Sequence, residues 1–148
     1  MVDLNIPEQN IEIKSINSKN YIFDSIRKKH LILTPEEWVR QNLVSYFIND
    51  LNYPKGLIKT ESSLKYNNLK KRSDILIYNN DMTHYMIVEC KSYKMKLNKS
   101  HLNQSAMYNK IYRSRYLMVS NGMEHIVCEY DWEKETFKFR SSIPEFSN

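Results

Sequence analysis

Glycine is nearly absent from this 148-residue chain, which contains only Gly56 and Gly122. Two isolated glycines cannot build a Walker A loop or a GxGxxG phosphate cradle. This excludes the common nucleotide-hydrolysing motors and, with them, a nucleotide cofactor. Cysteine is equally scarce. Cys90 and Cys128 stand far apart and form no CxxC pair, so neither a disulfide framework nor a zinc site follows. The expectation is a reduced, cytoplasmic protein. His84, His101 and His125 show no HxH or HExxH spacing. No apolar run reaches the ~18 residues that a membrane span requires. The opening MVDLNIPEQN lacks the basic and apolar regions of a signal peptide. What is present is globular, at 41% hydrophobic and 26% charged residues. The length suits one domain over residues 1–148 with a single core.

The net charge of +5 is unevenly spread. Residues 1–64 are neutral overall, and residues 116–148 carry −3. Residues 65–115 hold eleven basic and three acidic side chains, a net of +8. A segment so charged suits a polyanionic partner such as nucleic acid. A solvated lysine-rich face accounts for the same charge equally well.

Periodicity and punctuation divide the chain into elements. Residues 1–10 read as a loose end, and IEI (11–13) with YIFD (21–24) as a small hairpin. In LTPEEWVRQNLVSYFINDLNY, Thr34 suits an N-cap, Pro35 the first helical position, and Glu37 completes a T-x-x-E capping box. Val39, Leu43, Phe47 and Leu51 recur at helical spacing, which predicts a helix over Pro35–Leu51. Strands are expected at Leu57–Tyr66, Ser73–Tyr78 and His84–Lys91, with the polar NNLKKR as a connector. A second helix is expected over Ser100–Tyr112, with Ser100 as its cap. A buried strand RYLMVSNG and a last hairpin, EHIVCEYD and TFKFR around WEKE, complete the chain. The order predicts an α/β fold with a mixed central sheet flanked by helices.

Three charged residues sit within the second and third strands of this meander. A symmetric hairpin centred between Asp81 and Met82 puts Asp74 across from Glu89, with Cβ atoms ~5 Å apart. Two carboxylates so placed repel unless a cation lies between them, and hard oxygen ligands suit Mg²⁺. Strand alternation puts Lys91 on the same face as Glu89. Two acids and an ammonium on one edge can polarise a phosphoryl oxygen, activate water and neutralise developing charge. Those are the requirements of phosphodiester hydrolysis. Strand-end carboxylates beside lysines are also common surface decoration.

The pieces TPEEWVRQ, KKRSDILIY, YMIVECKSY, NQSAMYN and YLMVSNG, in that order, resemble the PD-(D/E)XK nuclease superfamily. They are most similar to the N-terminal domain family of type I restriction enzyme R proteins. The resemblance spans about Leu33 to Gly122 and implies a restriction-endonuclease-like core: helix, three-strand meander, helix, strand. It implies a Mg²⁺-dependent nuclease acting on DNA, with Mn²⁺ as a substitute. Asp74 and Glu89 become the metal-binding acids and Lys91 the catalytic lysine. Gln104, as a further catalytic residue, and Tyr108 match a Q-x-x-x-Y on the second helix and share a face from which they can reach the phosphate or order the lysine, although Tyr108 reads equally as a core residue. Glu37 matches an acid that some members carry on the first helix, though its capping role already explains it. Ser73 replaces the usual proline before the first acid. Members of the superfamily often pair to cut both strands, so the resemblance extends to a homodimer, for which no motif speaks. Lys70, Lys71, Arg72, Lys94, Lys96, Lys99 and Tyr108 are the expected nucleic-acid contacts. The alternative reading is a non-catalytic nucleic-acid-binding module on the same fold.

Overall fold

The computed structural model describes residues 1–66 and 69–147, apart from the side chains of residues 61–73. The first helix, α1 (Pro35–Asn49), starts where its signals put it, with the Glu37 N–H donating to Thr34 Oγ1 at 3.0 Å. Only half of the expected capping box forms. The Glu37 carboxylate turns inward to Arg40 and Gln41 instead of back to the cap. The helix stops at Asn49, two residues before the expected end, and Asn52 at φ 61 turns the chain away.

A six-stranded sheet carries the rest. Strands β4 (Ile58–Tyr66), β5 (Leu69–Tyr78) and β6 (His84–Cys90) form an antiparallel meander. Helix α2 (Lys99–Tyr112) then crosses to β7 (Tyr116–Ser120), which pairs with β6 in parallel. Strands β8 (His125–Asp131) and β9 (Thr136–Arg140) add antiparallel, giving the order β4-β5-β6-β7-β8-β9. A two-strand parallel step needs a long crossover, and α2 supplies it. Two expectations need correcting. Lys70, Lys71 and Arg72 lie in β5, not in a connector. Asn98 caps α2 by accepting the His101 N–H at 3.1 Å, whereas Ser100 donates its hydroxyl to Asn98.

The two sheet faces are read out by alternation. Ile75, Ile77 and Val88 pack with Val39, Leu43 and Phe47 of α1. Leu76, Ile87, Leu117 and Cys128 pack with Tyr112 and Leu102 of α2. Each such large side chain taken out of water contributes roughly 1.5–3 kcal/mol. Both cysteines are buried and unpaired. Among the described residues no helix is long and apolar enough to cross a membrane.

The N-terminal part is more ordered than its sequence suggests. It forms a three-stranded sheet, β1 (Ile13–Ile16), β2 (Lys19–Asp24) and β3 (Lys29–Ile32), instead of a hairpin. Asn17 and Ser18, both at positive φ (50° and 66°), make the tight first turn. Nor are residues 1–10 a loose end. Asn5 N–H donates to Gly122 O at 2.8 Å, and Trp38 Nε1 to Val2 O at 3.0 Å. A Cβ at Gly122 (φ +84°) would lie 2.7 Å from Leu4 Cδ2, so glycine lets this segment seat.

Asp24, at the end of β2, is fully buried. It accepts N–H bonds from Ile26 (2.9 Å) and Arg27 (3.0 Å), the Arg27 Nε–H (2.8 Å) and the Thr60 hydroxyl (3.0 Å). The last of these links the small sheet to β4. Burial alone would raise this carboxyl, but the bonds from Arg27, Thr60 and Ile26 outweigh it and hold it below the usual range.

Candidate functional site

The β5–β6 register pairs Ile75 with Val88 and Ile77 with Met86. The ladder ends at the Ile75–Val88 pair, and Asp74 and Glu89 lie one residue beyond it on their strands, at the positions that a symmetric turn sets opposite. The symmetry breaks only near the turn, where a bulge pairs Tyr78 with His84. Both carboxylates therefore lie at the end of the β5–β6 ladder, Asp74 reached from α1 and Glu89 from α2.

Each acid is held from a different element. Asp74 Oδ2 accepts the Cys90 N–H at 2.7 Å, and Oδ1 faces Arg40 Nη1 of α1 at 3.3 Å. Glu89 Oε1 lies 3.0 Å from Lys91 Nζ, and Oε2 accepts the Ser105 hydroxyl of α2. The Lys91 N–H donates to Ser120 O of β7 at 2.8 Å, which fixes the backbone from which the ammonium projects. Glu37, only 6% exposed, is gripped by the Arg40 guanidinium, with Nε 3.2 Å from Oε2. Arg40 therefore bridges Glu37 and Asp74.

Burial dominates the electrostatics of Asp74. It lifts the carboxyl to about 6, against the Cys90 N–H and Arg40, which lower it, and together with Glu36 and Glu89, which add to the rise. A carboxylate left short of positive charge in a low-dielectric place gains from a further cation.

Of the residues singled out in the sequence, Asp74, Glu89 and Lys91 come together, and Glu37 joins them through Arg40. Gln104 is exposed; the α2 side chain that meets Glu89 is Ser105, one position on. Tyr108 is half-buried on α2. Lys94, Lys96 and Lys99 are exposed between β6 and the start of α2. The side chains of Lys70, Lys71 and Arg72 lie outside the described residues. Arg40 and Ser105 were missed in the sequence. Arg40 sits within TPEEWVRQ three residues after Glu37, a helical ion-pair spacing that was a usable signal. Nothing local marks Ser105.

Among the described residues no three His, Cys, Asp or Glu side chains form a ready metal cluster. The donor set still suits Mg²⁺, which keeps several waters and takes only one or two protein carboxylates. A cleft of about 630 Å³ opens instead at the other end of the sheet, around Asn79, His84, Arg113 and Trp132. Asp74, Glu89 and Lys91 do not line it.

Residues 35–144 match the family described as type I restriction enzyme R protein N terminus. Among solved structures, the chain is similar to a fragment assigned to an HsdR subunit of a type I restriction enzyme from Vibrio vulnificus YJ016. The two are 18% identical with a TM-score of 0.53, over 76% of this chain and 24% of that one. At that identity the likeness is one of fold, and this chain spans about a quarter of the length of that one. No curated protein matches.

Proposed function

The chain belongs to the family of type I restriction enzyme R protein N termini, and on that premise we propose that it is a Mg²⁺-dependent nuclease domain of the PD-(D/E)XK kind, hydrolysing DNA phosphodiester bonds. One observation carries the reading: Asp74 and Glu89 stand one residue beyond the Ile75–Val88 pair that ends the β5–β6 ladder, with Lys91 Nζ 3.0 Å from Glu89 Oε1. Asp74 and Glu89 hold the cation, and Mn²⁺ substitutes for Mg²⁺. Bound there, the metal supplies Lewis-acid polarisation of a phosphoryl oxygen. Lys91 exchanges its Glu89 contact for the scissile phosphate and neutralises the charge that builds on it. Ser105 keeps the freed Glu89 carboxylate oriented by its hydroxyl. Arg40 holds Glu37 and steadies Asp74 from the α1 side.

The exposed Lys94, Lys96 and Lys99, with Lys70, Lys71 and Arg72, bind the phosphate backbone. Affinity for DNA should therefore fall steeply with salt through counterion release. The deciding experiment incubates the protein with plasmid, linear duplex, single-stranded DNA and RNA under Mg²⁺, Mn²⁺ or EDTA. Cleavage of DNA that EDTA abolishes is the expected result. Binding without cleavage under either metal would replace the enzyme with the non-catalytic binding module.

A further inference from the structure

The β8–β9 hairpin carries a run of aromatic rings that the cleavage site does not use. Tyr130 and Trp132 stack in parallel, with centroids 4.9 Å apart at 6°. Tyr130 then meets Phe137 at 5.6 Å, and Phe137 meets Phe139 at 5.9 Å edge-on. The inner end is fixed, because Trp132 Nε1–H donates to Ser114 O at 2.9 Å and the Arg113 guanidinium lies 4.8 Å over the ring. The outer end is open to solvent, with Phe137 57% and Phe139 62% exposed. Water-exposed phenylalanines at the end of a rigid stack are a surface awaiting a flat, apolar partner.

The chemistry opposite this ladder narrows the choice of partner. A groove of about 430 Å³ separates the hairpin from α2, with Lys110 and Arg113 on the helix wall and Tyr130, Trp132 and Phe137 on the other. From Cys90 to Met123 the chain carries seven lysines and arginines and no carboxylate. This acid-free stretch starts beside Lys91 and includes all of α2. The other wall is less one-sided, since Asp131 and Glu135 also line the groove. Ring faces beside cations on one wall match a base and its phosphate.

We propose that this groove and the exposed rings at its mouth bind unpaired nucleotides of a single-stranded nucleic acid, with bases stacked on Phe137 of the groove wall and on its neighbour Phe139, and a phosphate held by Lys110 and Arg113. The inference rests on the nucleic-acid reading above and adds a second contact, remote from the acids. Stacking accepts any base, so the site is indifferent to sequence. Asp131 and Glu135 keep its phosphate contacts few, so its share of affinity depends weakly on salt.

The test measures anisotropy of fluorescent dT12 and of a 12-base-pair duplex in EDTA, where binding is separated from cleavage. Phe137→Ala/Phe139→Ala, at two exposed positions, should weaken dT12 roughly tenfold, as loss of base stacking does, and leave duplex affinity within about twofold. Lys110→Glu should weaken dT12 as well. Unchanged dT12 affinity in the double variant overturns the proposal. So does equal weakening of the duplex. A dimer seen by sedimentation that the double variant dissolves, with dT12 binding intact, would instead assign the ladder to a second copy of the chain. If the wild type binds neither ligand at low salt, the nucleic-acid reading falls along with this one.

Discussion

Asp24 and Asp74 are both strand carboxylates withdrawn from water, yet one lies below the usual carboxylate range and the other is lifted to about 6. Burial works in the same direction on each. The difference lies in the partners. Asp24 accepts four hydrogen bonds, two of them from an arginine that follows it by three residues. Asp74 has one backbone N–H at 2.7 Å, a guanidinium at 3.3 Å that is already committed to Glu37, and a second carboxylate nearby. A buried acid with all its lone pairs used is part of the frame. One left short of donors, beside another acid, holds an affinity that the frame does not use.

The sharpest way to break this comparison is isosteric. Asp24→Asn should cost about 3 kcal/mol of stability, since it uncouples Arg27 and misplaces an amide among donors. Asp74→Asn in EDTA at neutral pH should cost nothing and should raise stability by up to about 2 kcal/mol, because it removes a buried charge while its oxygen still accepts from Cys90. Urea midpoints at matched m-values read both, and equal losses would erase the distinction. Lys91→Ala extends the contrast to chemistry. Cleavage should fall by ~10²-fold or more, while divalent-metal binding by calorimetry and DNA affinity persist. Loss of metal binding in this variant would make Lys91 part of the frame after all.

Titration should separate the two acids by sign. Asp74 is raised in the fold, so in EDTA it binds a proton more tightly folded than unfolded. Between about pH 6 and the unfolded value of 3.8 its protonation adds stability as pH falls. The gain is on the order of 2 kcal/mol, discounted for partial exposure, and should vanish in Asp74→Asn. Asp24 is lowered, so its contribution is complete above 3.8 and is lost as pH falls below it through the folded value. Smallest of all is Thr34→Ala, expected to cost about 1 kcal/mol through the lost cap. Because Glu37 is tied to Arg40 and not to the cap, metal binding should survive that change.

Local rules recovered what local physics decides. Pro35 and Thr34 announced α1, and the turn symmetry gave the Ile75–Val88 and Leu76–Ile87 pairs beside which Asp74 and Glu89 stand. Where a segment's stability comes from distant residues, the sequence was a poor guide. Strand β3 is only KHLI, polar at its start, and is held by pairing with β2. LKKR reads as a solvated connector, yet antiparallel pairing with β4, from Leu69–Tyr66 to Arg72–Ser63, draws it into β5. Arg40 shows its nearby partner Glu37 but not Asp74, 34 residues away. Ser105 and Gln104 are neighbours on a helix whose rotation is set by packing against β7 and β6, so the one facing Glu89 could not be chosen from spacing. Asp24 passed as the end of a strand because Thr60, which marks it as a junction, lies 36 residues on.

The parallel pairing of β6 with β7 has a consequence in time. Glu89 and Lys91 are translated early, but the groups that fix them, Ser105 and the Ser120 carbonyl, come 16 and 29 residues later. At roughly 5–20 residues per second, a nascent chain waits a few seconds between the two. During that interval the β5–β6 hairpin can form, since hairpins close in microseconds, yet Lys91 has no β7 to anchor its backbone. The acids are thus made first and aligned last. A ribosome-bound chain carries the parts of the site well before it carries the site.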